Sequence, residues 1–166
     1  MNSIVIGCDS LAIGLRDFVA GVLTRCGIEV ESVNDALGEG VDYPVVAEAV
    51  CERIIESGYK KRGVLMCGTG IGMAMTANKF RGIRAAVCHD IYSAERSILS
   101  NQSNVLCLGA RVVGLGLAER IVEEWISLEF IPGPSSVKVR EMQAIESRNL
   151  KGPHRKAPAH TNSTDR

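Results

Sequence analysis

A chain of 166 residues with 46% hydrophobic and 23% charged residues suits one globular domain with a real core. Its 19 basic and 19 acidic residues cancel and aromatics are only 4%, which excludes a general attraction to nucleic acid or an anionic membrane surface. No run reaches the roughly 20 apolar residues that span a bilayer.

The first residues pass from Met1 straight into an apolar run, without the basic segment of a secretory signal. The six cysteines, Cys8, Cys26, Cys51, Cys67, Cys88 and Cys107, include no CxxC pair. Their scatter predicts free thiols in a reduced, cytoplasmic protein, and no metal site.

"SIVIGC" (3–8) is β-branched and predicts a strand ending at Asp9-Ser10. Leu15, Phe18, Val19, Val22 and Leu23 recur at helical spacing up to Gly27. "IEVESV" (28–33) alternates and predicts a second strand, followed by a polar, glycine-bearing loop to Pro44. Pro44 suits a helix first turn, and Val46, Val50, Cys51, Ile54 and Ile55 carry its apolar stripe. "GVLMC" (63–67), "GIRAAVC" (82–88) and "NVLCLG" (104–109) predict three more strands. Helices are expected near 71–79, 91–101 and 115–128. A last amphipathic helix is expected over 135–149, too short to be stable alone and so packed on something, such as a partner subunit. Residues 150–166 are polar and read as a disordered tail.

Continuous apolar strands alternating with helices predict an α/β domain over residues 1–149, a parallel sheet covered on both faces. Ligands in such sheets bind at the carboxyl ends of the strands. The residues to watch are then Asp9-Ser10, Cys67-Gly68-Thr69, His89-Asp90 and Ala110-Arg111.

Cys67 runs directly into Gly68-Thr69-Gly70-Ile71-Gly72. Glycines let a backbone approach a ligand closely, and N–H groups left unpaired at a helix start favour anions. The same field favours the thiolate of a nearby cysteine. A thiol ending a strand can also be plain core. The turn is not a Walker loop, since no Gly-Lys-Ser/Thr follows. Nor is it a phosphate-gripping loop with an arginine six positions after the cysteine, where Met73 stands.

"GCDS" (7–10), "CGTGIGMAMTANKFRGIRAAVC" (67–88), "YSAERSILSNQSNVLCLGARVVG" (92–114) and "VREMQAIE" (139–146) occur in one order. Together they resemble the ribose-5-phosphate isomerase B family, which includes galactose-6-phosphate isomerase subunits. The resemblance covers about residues 3–149. It implies a Rossmann-like three-layer sandwich with a five-stranded parallel sheet and an extra C-terminal helix. It implies an aldose–ketose isomerase of sugar phosphates that needs no cofactor or metal. It also implies a homodimer with shared active sites, leaving open whether dimers pair into tetramers.

In the matching position Cys67 is the base that moves a proton between C1 and C2 through a cis-enediolate. Thr69 and the N–H groups of Gly70, Ile71 and Gly72 would hold the enediolate oxygen, with Gly68 completing the cradle. Asp9 matches an aspartate that handles a substrate hydroxyl, against the alternative of a helix N-cap. Asn101 matches a sugar contact and Arg111 a phosphate contact, while Tyr43 is either a contact or packing.

The chain departs from that pattern. Ser10 and Ser100 stand where the family has histidines, the second of which opens the sugar ring. Pro134 and Ser135 replace part of a basic motif, and Lys138 stands for an arginine. Ribose 5-phosphate, the family's default substrate, is mostly cyclic and benefits from a ring opener. A tetrulose 4-phosphate cannot close a furanose and needs none. The block "HDIYSAERSILSN" (89–101) is similar to the branch acting on D-erythrulose 4-phosphate. His89 is either a replacement imidazole or a loop residue. A non-enzymatic sugar-phosphate-binding module and a cysteine phosphocarrier are the competing classes.

Overall fold

The computed structural model describes residues 3–150. The strands are β1 (Ser3–Cys8), β2 (Glu29–Ser32), β3 (Arg62–Cys67), β4 (Ala85–Val87) and β5 (Val105–Gly109). The helices are α1 (Ile13–Arg25), α2 (Asn34–Leu37), α3 (Tyr43–Glu56), α4 (Ile71–Ala77), α5 (Ile91–Leu99), α6 (Leu115–Ser127) and α7 (Ser136–Asn149). All strand pairings are parallel, in the order β2-β1-β3-β5-β4. The tail expected at 150–166 lies, apart from Leu150, outside the described residues.

Side-chain alternation on the central strands builds two cores. Ile4, Ile6, Val64, Met66, Leu106 and Leu108 face α1, α5 and α6, where Trp125 is fully buried. Val5, Leu65, Cys67, Val105 and Cys107 face α3 and α4. Both faces are covered, so these strands read as unbroken apolar runs. The chain after β3 therefore turns to one face, and the chains after β1 and β5 turn to the other. That divergence opens a crevice at the carboxyl ends of β1, β3 and β5, the place where such sheets bind ligands.

Two elements differ from the sequence expectation. The polar loop after β2 contains the one-turn helix α2. The strand expected over 82–88 shortens to Ala85–Val87. There Gly82 is left-handed (φ 76°), and the Asn104 side chain takes the Arg84 N–H and the Gly82 carbonyl, so this stretch meets a side chain instead of a strand.

At the opposite end of the sheet Arg62 donates to the carbonyls of Ile126 and Leu128 and lies 4.2 Å over the Trp125 ring. Burial lowers its pKa to about 10. It ties the start of β3 to the end of α6. Helix α7 is anchored on its own chain: Val139 is buried, and Glu146 accepts the Gly82 N–H at 2.8 Å. Val137 and Ile145 on α7 stay exposed.

Candidate active site

Asp9, Cys67 and Gly109 stand side by side at the ends of β1, β3 and β5. The register pairs Cys8 with Met66 and Cys67 with Gly109, and the Asp9 N–H reaches the Met66 carbonyl at 3.2 Å. The turn after Cys67 folds back over β5. A Cβ on Gly109 would lie 2.8 Å from the Thr69 backbone, so only glycine permits this approach. Gly70 is left-handed (φ 76°), which starts α4 and swings the next residues over Cys67. Backbone bonds from Ala110 N–H to the Cys67 carbonyl and Arg111 N–H to the Gly68 carbonyl fix the turn against the loop after β5.

Cys67 is 5% exposed, and the Gly70 N–H donates to its Sγ at 3.1 Å. Burial pushes Cys8 and Cys88 up to about 11 and Cys51 to about 12, and raises Cys107 well above the usual thiol value. Thr69 is exposed beside Cys67, and its Oγ1 accepts the Ile71 N–H at 3.4 Å. Two of the turn's N–H groups are thus shared with the turn's own side chains.

Asp9 is half-buried, and its Oδ1 accepts the Leu11 N–H at 3.0 Å. It is not the N-cap of α1; that position is Ala12, and no side chain caps it. Ser10 next to it is exposed. Arg111 is exposed, with its side chain near Gly68 and Leu11. The Tyr43 ring packs on Gly72, where a Cβ would meet it at 2.7 Å. His89 is not a free loop residue: its Nε2 accepts the Gly109 N–H at 3.1 Å.

The chain thus gathers Asp9, Ser10, Tyr43, the 67–72 turn, His89 and Arg111 at one end of the sheet. Ser100, Asn101 and Lys138 are not part of this group. Helix α5 starts at Asp90, at the carboxyl end of β4, where the Asp90 side chain caps it by accepting the Ser93 N–H. It then runs back along the sheet, so Ser100 and Asn101 reach the opposite end, next to Gln102, whose carbonyl Arg84 binds. Asn101 lines a groove of about 510 Å³ along the outer edge of β4, with Arg84, Arg96 and Met142. Lys138 is exposed on α7.

Sequence reasoning missed Asn34. It is 5% exposed, with its side chain on both backbone groups of Cys8. Its one signal was an asparagine entering a loop directly after a strand.

The strand ends thus bring together a thiol under an N–H turn, a carboxylate and an arginine. The profile of the Ribose/Galactose Isomerase family matches residues 4–142. A D-erythrulose-4-phosphate isomerase of Pectobacterium atrosepticum is 46% identical over 147 residues, covering 88% of this chain and 96% of that protein. Ribose-5-phosphate isomerase B of Escherichia coli is 40% identical, over 89% of this chain and 99% of that one. A solved ribose-5-phosphate isomerase B of Clostridium thermocellum superposes with a TM-score of 0.82 at 40% identity, covering 88% of this chain and 98% of that one.

The chain belongs to the ribose/galactose isomerase family. It is an aldose–ketose isomerase of the ribose-5-phosphate isomerase B type, acting on a sugar phosphate. Membership in an isomerase family sets aside the phosphocarrier alternative. Among the described residues no helix is long and apolar enough to cross a membrane.

Proposed function

We propose that the protein interconverts D-erythrulose 4-phosphate and its aldose isomer, with Cys67 as the base. The Cys67 thiolate takes a proton from C1 of the ketose. The C–H electron pair becomes the C1–C2 double bond, and the carbonyl pair moves onto O2, giving an enediolate. Return of the proton to C2 and transfer of the O1 proton to O2 complete the aldose. Thr69 and the turn N–H groups steady the oxygen that carries charge, Asp9 holds a substrate hydroxyl, and Arg111 meets the phosphate. A positioned base of this kind accounts for roughly 10²- to 10⁴-fold in rate.

The observation that carries the substrate choice is hydroxyl chemistry where ring opening needs an imidazole: Ser10 lies beside Asp9, and position 100 is also serine. In a tetrulose 4-phosphate the phosphate occupies O4, so no furanose forms and no ring opener is required. The Pectobacterium relative bears that substrate's name. Ribose 5-phosphate is the second reading, favoured by the Escherichia coli relative. It would ask His89 for ring opening, and one nitrogen of that ring is already taken by Gly109.

The working unit is a homodimer in which Ser100, Asn101 and Lys138 of each copy serve the other's Cys67 site. The placement of α5 supports this, since Asn101 sits far along the sheet from Cys67 in its own chain.

The test is kcat/KM for the two substrates. A preference for D-erythrulose 4-phosphate by tenfold or more is expected, and a ribose preference of that size overturns the four-carbon assignment.

A further inference from the structure

The β1–β2 ladder has a constant offset: Ser3 pairs with Glu29 and Ile6 with Ser32. Continued two residues on, Cys8 falls opposite Asn34. At that point the chain has left the sheet and entered α2 (Asn34–Leu37), so no strand backbone faces Cys8 there. The Asn34 side chain takes its place. Oδ1 accepts the Cys8 N–H at 3.0 Å, and Nδ2 donates to the Cys8 carbonyl at 2.9 Å. One amide group supplies the donor and the acceptor that a neighbouring strand divides between two peptides.

We propose that Asn34 is a positioning residue for Asp9, holding the end of β1 so that the Asp9 carboxylate faces the substrate beside Cys67. On its other side this strand end is fixed by β3, through the Asp9 N–H on the Met66 carbonyl. The strand end is thus fixed from both neighbours, the Cys8 peptide groups by Asn34 and the Asp9 N–H by β3, and the Asp9 side chain projects from that fixed backbone. Nδ2 also reaches the Gly38 carbonyl at 3.5 Å. Gly38 opens the loop to Tyr43, whose ring lies on Gly72 of the turn. The Asn34 side chain therefore also touches the end of α2, where the chain leading to Tyr43 begins. The residue itself is buried, 5% exposed.

This inference rests on the reading of Asp9 as a substrate contact, and a double-mutant cycle separates the two. Asn34→Ala, Asp9→Asn and the double variant are measured with D-erythrulose 4-phosphate and ribose 5-phosphate, whichever turns over. Iodoacetamide labelling of Cys67 is followed in parallel. Asn34→Ala is expected to lower kcat/KM by about tenfold, mainly through KM, the size of one hydrogen bond to a charged group. The double variant is expected to be no worse than Asp9→Asn, and Cys67 labelling to keep its wild-type rate, since the turn after β3 is untouched. Asn34→Ser, which keeps a hydroxyl near Cys8, serves where Asn34→Ala does not fold, with a smaller loss in the same direction. Additive losses, or altered Cys67 labelling, mean that Asn34 acts on the whole fold and overturn the inference. A silent Asp9→Asn removes the role of Asp9 and the inference with it. Normal kinetics in Asn34→Ala beside a defective Asp9→Asn overturn the inference alone.

Discussion

Cys67 and Cys107 lie in the same core layer on adjacent strands, and what surrounds each sulfur separates them. Cys107 is fully enclosed, and burial drives its thiol well above the usual range. Cys67 lies at the rim and receives the Gly70 N–H. For the role proposed above, Cys67 has what Cys107 lacks, a position at the rim and a neighbouring N–H donor. Cys67→Ala should fold and lose at least about 10²-fold in kcat. Cys107→Ala should keep kcat/KM within about twofold and lose about 1 kcal/mol of stability as its buried volume empties. Steady-state kinetics and thermal melts of the two variants check this. Near-normal turnover in Cys67→Ala would remove the thiol from the mechanism.

At the scale of the element, the β3–α4 turn depends on its backbone. Gly70 sits at φ 76°, and a Cβ there would stand 3.1 Å from the Leu108 backbone. Gly70→Ala should cost about 1–3 kcal/mol from the left-handed conformation alone. It should also lower kcat, because relief of the clash moves the N–H away from Cys67 Sγ. Melting and kcat measured together check it, and an unchanged kcat in the folded variant would mean that the N–H contact is incidental.

This turn was legible as GTGIG, and the five strands were legible because a doubly covered sheet demands unbroken apolar runs. Helix α2 was not, since one turn holds no 3.6-residue period. The strand at 82–88 was read too long, because apolar content persists through Ile83 while the pairing there goes to the Asn104 side chain. Asp9, Cys67 and Arg111 were found as strand-end residues. Asn34 escaped because its meaning depends on the register between β1 and β2, which no single segment records.

At the scale of the whole molecule, strand order decides which residues can meet. With β5 between β3 and β4, β4 becomes the outer edge, and α5 carries Asn101 away from the carboxyl ends along that edge. The crevice holds Cys67 and Asp9, and the edge groove holds Asn101 with Arg84 and Arg96. A shared-site dimer gives these two half-sites a reason to be apart: each groove would cover the crevice of the other copy. Cys67→Ala and Asn101→Ala homodimers should then each be nearly inactive. Mixed in equal amounts under conditions that exchange subunits, half of the dimers become mixed. In a mixed dimer both lesions fall in one site and the other site is intact. Activity should therefore return to about a quarter of wild type, from one good site in half of the dimers. A site built wholly from one chain gives no recovery, because every chain in the mixture carries a lesion. Recovery without exchange, before mixed dimers form, would likewise be incompatible with a shared site.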